Sequence, residues 1–118
     1  MVGMPLVSVI VATYHRPKLV ELAIQSILNQ DFTDFEVLVV GDNCTDDAEQ
    51  VVASFNDKRV RWLNLKERVG NQAGPNNEGL RQAKGKYIAY LGHDDLWFPW
   101  HLSNLVQTLQ KGVEFAFL

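Results

Sequence analysis

The sequence predicts an α/β domain, a mainly parallel sheet with helices on both faces. Three observations carry that prediction. Short β-branched runs of strand length alternate with stretches whose apolar residues recur at helical spacing. Three of the four clearest strand-like runs are almost continuously apolar, as strands covered on both faces are. The alternation is near-strict, so neighbouring strands are joined by right-handed crossovers. A chain of 118 residues holds one such domain, and a second would be too small to bury its own core.

Taken in order, Val7–Thr13 is the first strand. Pro17, whose missing N–H costs nothing in a first turn, opens a helix with Val20, Ala23, Ile24, Ile27 and Leu28 on one face. Phe35–Val40 is the second strand. Thr45 or Asp46 caps a helix that carries Ala48, Val51, Val52 and Phe55. In Val60–Leu65, strand alternation sets Val60, Trp62 and Asn64 on one face and Arg61, Leu63 and Leu65 on the other. Each face carries one polar residue, which suits a partly covered edge strand. Asn76 or Asn77 caps a short helix with Leu80 and Ala83, ended by Gly85. Tyr87–Leu91 is the fourth strand, and Phe98 is expected to seal the following segment against the core. Pro99 opens a helix with Leu102, Leu105, Val106 and Leu109 inward, Gly112 stops it, and Val113–Leu118 reads as a fifth strand.

Composition excludes several classes. Apolar residues at 47% and charged residues at 21% are ordinary for a globular domain, and argue against disorder, collagen and coiled coil. Eleven Lys plus Arg against fourteen Asp plus Glu give a net charge of −3, a poor balance for gripping nucleic acid. The one cysteine, Cys44, makes neither an internal disulfide nor a cysteine-rich zinc site. The longest apolar run, Tyr87–Leu91, is far short of the ~20 residues of a membrane span. Met1–Pro5 has no basic flank followed by an apolar stretch of signal-peptide length. The expected location is the cytoplasm, with a peripheral place at the inner face of the membrane as a variant.

Function in parallel sheets gathers at the carboxyl ends of the strands. Asp94 and Asp95 follow the fourth strand there. Two adjacent carboxylates repel unless a cation joins them, and Mg²⁺ favours one or two carboxylates plus substrate phosphate oxygens. The same pair also suits the positive end of the next helix. Asp42, after the second strand, fits either a ribose or base contact or a turn. Thr13, Tyr14, His15 and Arg16 end the first strand, and Lys66, Glu67 and Arg68 end the third. The sequence has neither a Walker A loop nor a Gly-x-Gly-x-x-Gly after the first strand, so any phosphate must be held by side chains and a metal.

Three segments in register resemble the family-two glycosyltransferases of GT-A fold. Val7-Ser-Val-Ile-Val-Ala-Thr-Tyr-His-Arg-Pro17 is similar to their opening strand, and Val39-Val-Gly-Asp-Asn-Cys-Thr-Asp46 to their acidic turn. Gly79–Asp95 is similar to their approach to the metal-binding acids. The resemblance covers nearly the whole chain and implies a Rossmann-like nucleotide-binding half, residues 1–118, truncated before the acceptor-binding half. It implies that Thr13, Tyr14 and Arg16 surround the base and that Asp42 accepts a base N–H, with a UDP-type donor favoured. It implies that Lys66 or Arg68 reaches the base or a phosphate. Asp94 would touch the ribose or the metal shell, and Asp95 would be the main ligand of Mg²⁺ or Mn²⁺. The implied reaction moves a sugar from a nucleotide diphosphate to the hydroxyl of a glycan or lipid acceptor, with inversion, using a general base beyond Leu118.

The chain departs from the family pattern at three places. Gly41 stands where a first acid is common, and Gly92 where an acid often lies two places before Asp94. Pro75-Asn76-Asn77 replaces Ala-Arg-Asn, removing an arginine that might meet donor phosphate. A domain cut from its other half would expose apolar surface, so self-association is expected. Two rival readings are a non-catalytic nucleotide- or carbohydrate-binding module and a metal-dependent phosphohydrolase using His93 and Asp94 with His15 or His101.

Overall fold

The computed structural model describes residues 4–15, 17–71, 73–92 and 97–110. Strands and helices alternate: β1 (Val7–Thr13), α1 (Pro17–Leu28), β2 (Phe35–Gly41), α2 (Ala48–Ser54), β3 (Val60–Asn64), α3 (Ala73–Gln82), β4 (Tyr87–Gly92) and α4 (His101–Gln110). The four strands form one sheet in the order β3-β2-β1-β4, and every pair is parallel. The expected fifth strand and the helix stop at Gly112 lie outside the described residues.

The two central strands are buried along their whole length, which is why they read as unbroken apolar runs. Alternation along them feeds two cores. On one face Val7, Val9 and Val11 meet Val20, Ala23, Ile24 and Ile27 of α1 and Leu102, Leu105 and Val106 of α4. On the other, Ile10, Leu38 and Val40 meet Leu63, Leu65, Ala83 and Ile88. The third strand divides as its alternation predicts, Val60 and Trp62 packing on the larger cluster and Leu63 and Leu65 on the smaller.

The third helix differs from the sequence expectation. It begins at Ala73 rather than after Asn76, and the Asn71 side chain accepts the Ala73 N–H at 2.9 Å. Its inward residues are Pro75 and Gly79, whereas Leu80 is 47% exposed. The reason is proximity: a Cβ on Gly79 would stand 2.7 Å from the Ile10 side chain, so the contact line admits only glycine without rearrangement. Among the described residues α3 is the helix on this face, and Tyr90 of β4, in register with Ile10, is 52% exposed.

Asp46 does reach the start of α2, accepting the Ala48 N–H at 3.1 Å, but Asp47 stands at the N-cap without a capping bond from its own side chain. Phe98 is 70% exposed, its ring stacked on Trp100, and Trp97 is the aromatic that packs on the core. Backbone bonding explains the outward turn. The buried Gln30 donates to the Phe98 carbonyl at 2.7 Å and accepts the Leu102 N–H at 2.9 Å. This holds the chain ahead of α4 against the end of α1.

The opposite end of the sheet is closed by a buried polar cluster. Glu36 accepts the Ser8 hydroxyl at 2.6 Å and the Lys84 N–H at 2.7 Å, and Gly85 donates to Ser8 Oγ at 2.8 Å. A side chain at Gly85 would meet the Ser8 backbone at 2.6 Å, so this connection requires glycine.

Candidate nucleotide site

The register brings three strand ends together. Thr13 pairs with Gly41 and Ala12 with Gly92, so the ends of β1, β2 and β4 stand side by side. Asn64, the last residue of β3, pairs with Gly41 on the far side.

The turn after β2 is stitched on both flanks. The Asp42 N–H donates to the Thr13 carbonyl at 2.9 Å. Asn43 then turns the chain back with φ 57°. The Cys44 N–H donates to Asn64 Oδ1 at 2.8 Å, and Asn64 Nδ2 donates to the Cys44 carbonyl at 2.9 Å. Gly41 has a physical reason to be glycine: a Cβ there would stand 2.6 Å from the Trp62 ring and 2.8 Å from Asn64 Oδ1. An acid at that position would displace both. Cys44 is buried, and burial pushes its thiol pKa up, so it stays protonated and unreactive.

Asp42 is 4% exposed, and its two carboxylate oxygens accept the N–H groups of Val69 and Gly70 at 2.7 and 2.8 Å. Gly70 adopts φ 89°, a conformation that favours glycine. The loop so anchored carries Arg68, whose guanidinium lies 4.1 Å over the centre of the Tyr14 ring, a cation–π contact. Tyr14 in turn meets His15 edge-on at 4.2 Å. His15 holds a positive φ of 52°, and its Nδ1 is 3.8 Å from Asp46 Oδ2.

These groups surround a cavity of about 140 Å³ at the carboxyl end of the sheet. Thr13 and Tyr14 form one wall, Asp42 another, and Arg68, Gly70 and Asn71 the loop side, with Pro75 of α3 closing it. The Thr13 hydroxyl is buried there without a hydrogen-bond partner. An aromatic ring, a carboxylate and a cation bordering one small cavity can take a flat heterocycle with N–H donors.

Of the residues named from sequence, Thr13, Tyr14, Asp42 and Arg68 border one cavity, and Lys66 is exposed outside its walls. Arg16, Asp94 and Asp95 lie outside the described residues, as does His93. Gly70, Asn71 and the Asn64 clamp were not singled out from sequence, and Pro75 only as a departure from the family pattern. A polar residue ending an edge strand and a glycine just after a charged run were the available signals. For the phosphohydrolase reading, no group of three or more His, Cys, Asp or Glu among the described residues is arranged to hold a metal. His101 stacks on Trp97 at 4.5 Å, and burial lowers its pKa.

Comparison with known proteins settles the family. The model of glycosyl transferase family 2 matches residues 8–117. The chain belongs to glycosyl transferase family 2. Its fold is GT-A. S. aureus TarS residues 1–349, solved in complex with UDP, superimposes with a TM-score of 0.84 at 30% identity, over 90% of this chain and 32% of that one. The mannosyltransferase PcManGT from Pyrobaculum calidifontis, in complex with GDP-Man and Mn²⁺, gives 0.80 at 32% identity, over 91% and 33%. Among curated relatives, a GalNAc(5)-diNAcBac-PP-undecaprenol beta-1,3-glucosyltransferase of Campylobacter jejuni is 41% identical over 97% of this chain and 38% of its own length. The Escherichia coli glucosyltransferase WfaP is 32% identical over 91% of this chain and 42% of its own. The chain thus spans less than half the length of these relatives. No helix among the described residues is long and apolar enough to cross a membrane.

Proposed function

We propose that residues 1–118 are the nucleotide-sugar-binding part of an inverting, metal-dependent glycosyltransferase. The observation that carries this reading is the convergence of Thr13, Tyr14, Asp42 and Arg68 on one cavity at the strand ends, in a chain of this family. In this reading the stacked Tyr14–Arg68 pair borders the base, and Asp42 accepts its N–H. A uracil base is favoured. Each oxygen of Asp42 already accepts one backbone N–H and retains capacity for a second bond. Arg16 and Lys66 are assigned to the rim of the same site.

Adjacent carboxylates are a donor set that a hard divalent cation accepts, and the register delivers the end of β4 beside that of β1. Asp95, with Asp94, would hold Mg²⁺ or Mn²⁺ there. Such an ion supplies counter-charge to the leaving diphosphate. The Mn²⁺ in the complex of PcManGT supports a divalent ion without choosing between the two. The general base is assigned to a carboxylate outside this chain. The names of the C. jejuni and E. coli relatives point to an acceptor linked to a polyprenyl diphosphate, and with it to work at the cytoplasmic membrane surface. Self-association remains part of the proposal.

The test is binding of UDP-glucose, UDP-GlcNAc and GDP-mannose in the presence of Mn²⁺, followed by saturation-transfer NMR. The expected result is uptake of the uridine donors with the base protons in closest contact. No saturation of base protons from any donor would overturn the reading.

A further inference from the structure

We infer that Asn64, at the end of the edge strand, is a positioning residue for the nucleotide corner, doing through the backbone what the absent side chain of residue 41 cannot. The inference rests on the function proposed above. Both polar atoms of the Asn64 amide are spent on a single residue, the N–H and the carbonyl of Cys44. This is the pairing that another strand would offer. The side chain therefore extends the sheet by one rung beyond the Leu65 N–H to Gly41 carbonyl bond at 2.9 Å.

The rung fixes the part of the chain from which the site is built. Asp42 lies two residues before Cys44, and Asp46, which accepts the Ala48 N–H at the start of α2, lies two residues after it. Between them Asn43 holds a left-handed backbone, which asparagine tolerates in a turn. The space is available only because position 41 is glycine, since a Cβ there would meet Asn64 Oδ1 at 2.8 Å. The loss of an acid at 41 and the presence of Asn64 are thus one arrangement. Removing the amide leaves two part-buried backbone groups of Cys44 without partners. The strand itself does not depend on it, since β2 and β3 pair from Val37–Val60 onward.

Cys44 is the single cysteine of the chain and is buried, so a thiol reagent reports on this turn without any ligand. In Asn64→Ala, labelling of Cys44 is expected to run at least tenfold faster than in the unaltered protein. Affinity for UDP with Mn²⁺ is expected to fall at least fivefold, while affinity for pyrophosphate with Mn²⁺ stays within twofold. Asn64→Asp retains the acceptor for the Cys44 N–H and should label at an intermediate rate. An unchanged labelling rate, or an equal loss of UDP and pyrophosphate affinity, would overturn the inference. Binding of pyrophosphate but not UDP by the unaltered protein would refute the nucleotide reading and take the inference with it. UDP binding that Asn64→Ala retains in full would refute the inference alone.

Discussion

Replacing Asp42 by asparagine isolates the carboxylate that joins two walls of the cavity. It accepts the N–H groups of Val69 and Gly70 at 2.7 and 2.8 Å. Asparagine keeps one acceptor and turns an NH₂ group toward the other N–H. One charge-assisted bond is lost, worth about 1.5–3 kcal/mol, and a donor is set against a donor. Both amides belong to exposed residues, so water can replace part of the loss, and the lower end applies, about 2 kcal/mol. That corresponds to roughly a 30-fold shift in the equilibrium between the anchored and released loop. The released loop takes Arg68 away from Tyr14, so UDP affinity should fall by up to that factor through loop release, and further through loss of the base contact. Asp42→Ala, which removes both acceptors, should bind more weakly still. Calorimetric titration with UDP and Mn²⁺ measures the affinity, and urea denaturation measures the accompanying loss of stability. UDP binding by Asp42→Asn within threefold of the unaltered protein would refute the reasoning.

Two further outcomes are expected. Gly79→Val drives a branched side chain into Ile10, where even a Cβ would stand at 2.7 Å. Overpacking of this kind costs about 1–3 kcal/mol, and urea denaturation should show a loss of about 2 kcal/mol. Asp57→Asn tests a pH-dependent pair. The Arg59 side chain, bonded to Asp57 at 2.8 and 3.1 Å, holds that carboxyl below the ordinary carboxylate range. A depressed folded-state pKa stabilises above the unfolded value, near 3.9, and its contribution is lost as pH falls through the folded value. The variant should therefore be less stable than the parent at pH 7, by less than about 1 kcal/mol since the pair is partly exposed. The gap should close as thermal unfolding is followed down below about pH 3.9; a gap that persists there would contradict the assignment.

Much of this fold was legible in the sequence because the central strands and α1 obey one strong rule. Val7–Thr13 and Phe35–Gly41 are buried throughout, and a run buried on both faces must be apolar at every position. Pro17 and the spacing from Val20 to Ile27 fixed α1 in the same way. The third helix was misread because its packing uses proximity in place of bulk. Gly79 touches Ile10 where pattern analysis looks for leucine, and Leu80 points away. Phe98 was misread because an aromatic near a helix start is usually buried, whereas here Gln30 fixes its backbone and the ring is left outside.

The site divides along similar lines. Residues at the ends of regular strands, Thr13, Tyr14 and Asp42, could be placed from the strands alone. The loop between β3 and α3 could not be, since what fixes it is a long-range bond from Asp42 to the backbone of Val69 and Gly70, 27 and 28 residues away. Backbone donors carry no side-chain signature, so the choice of Arg68 over Lys66 as the residue at the cavity wall had no local signal. Asn64 escaped for the same reason, being a polar residue on an edge strand whose partner is a peptide group.

The central claim is that this corner of the sheet grips a nucleoside diphosphate together with a divalent ion. Its most direct measurement is calorimetry of UDP binding with and without Mn²⁺, on the unaltered chain and on Asp95→Ala. Binding should require the ion, and the substitution should weaken it at least tenfold. Equal affinity in both proteins, or affinity indifferent to the ion, would contradict it.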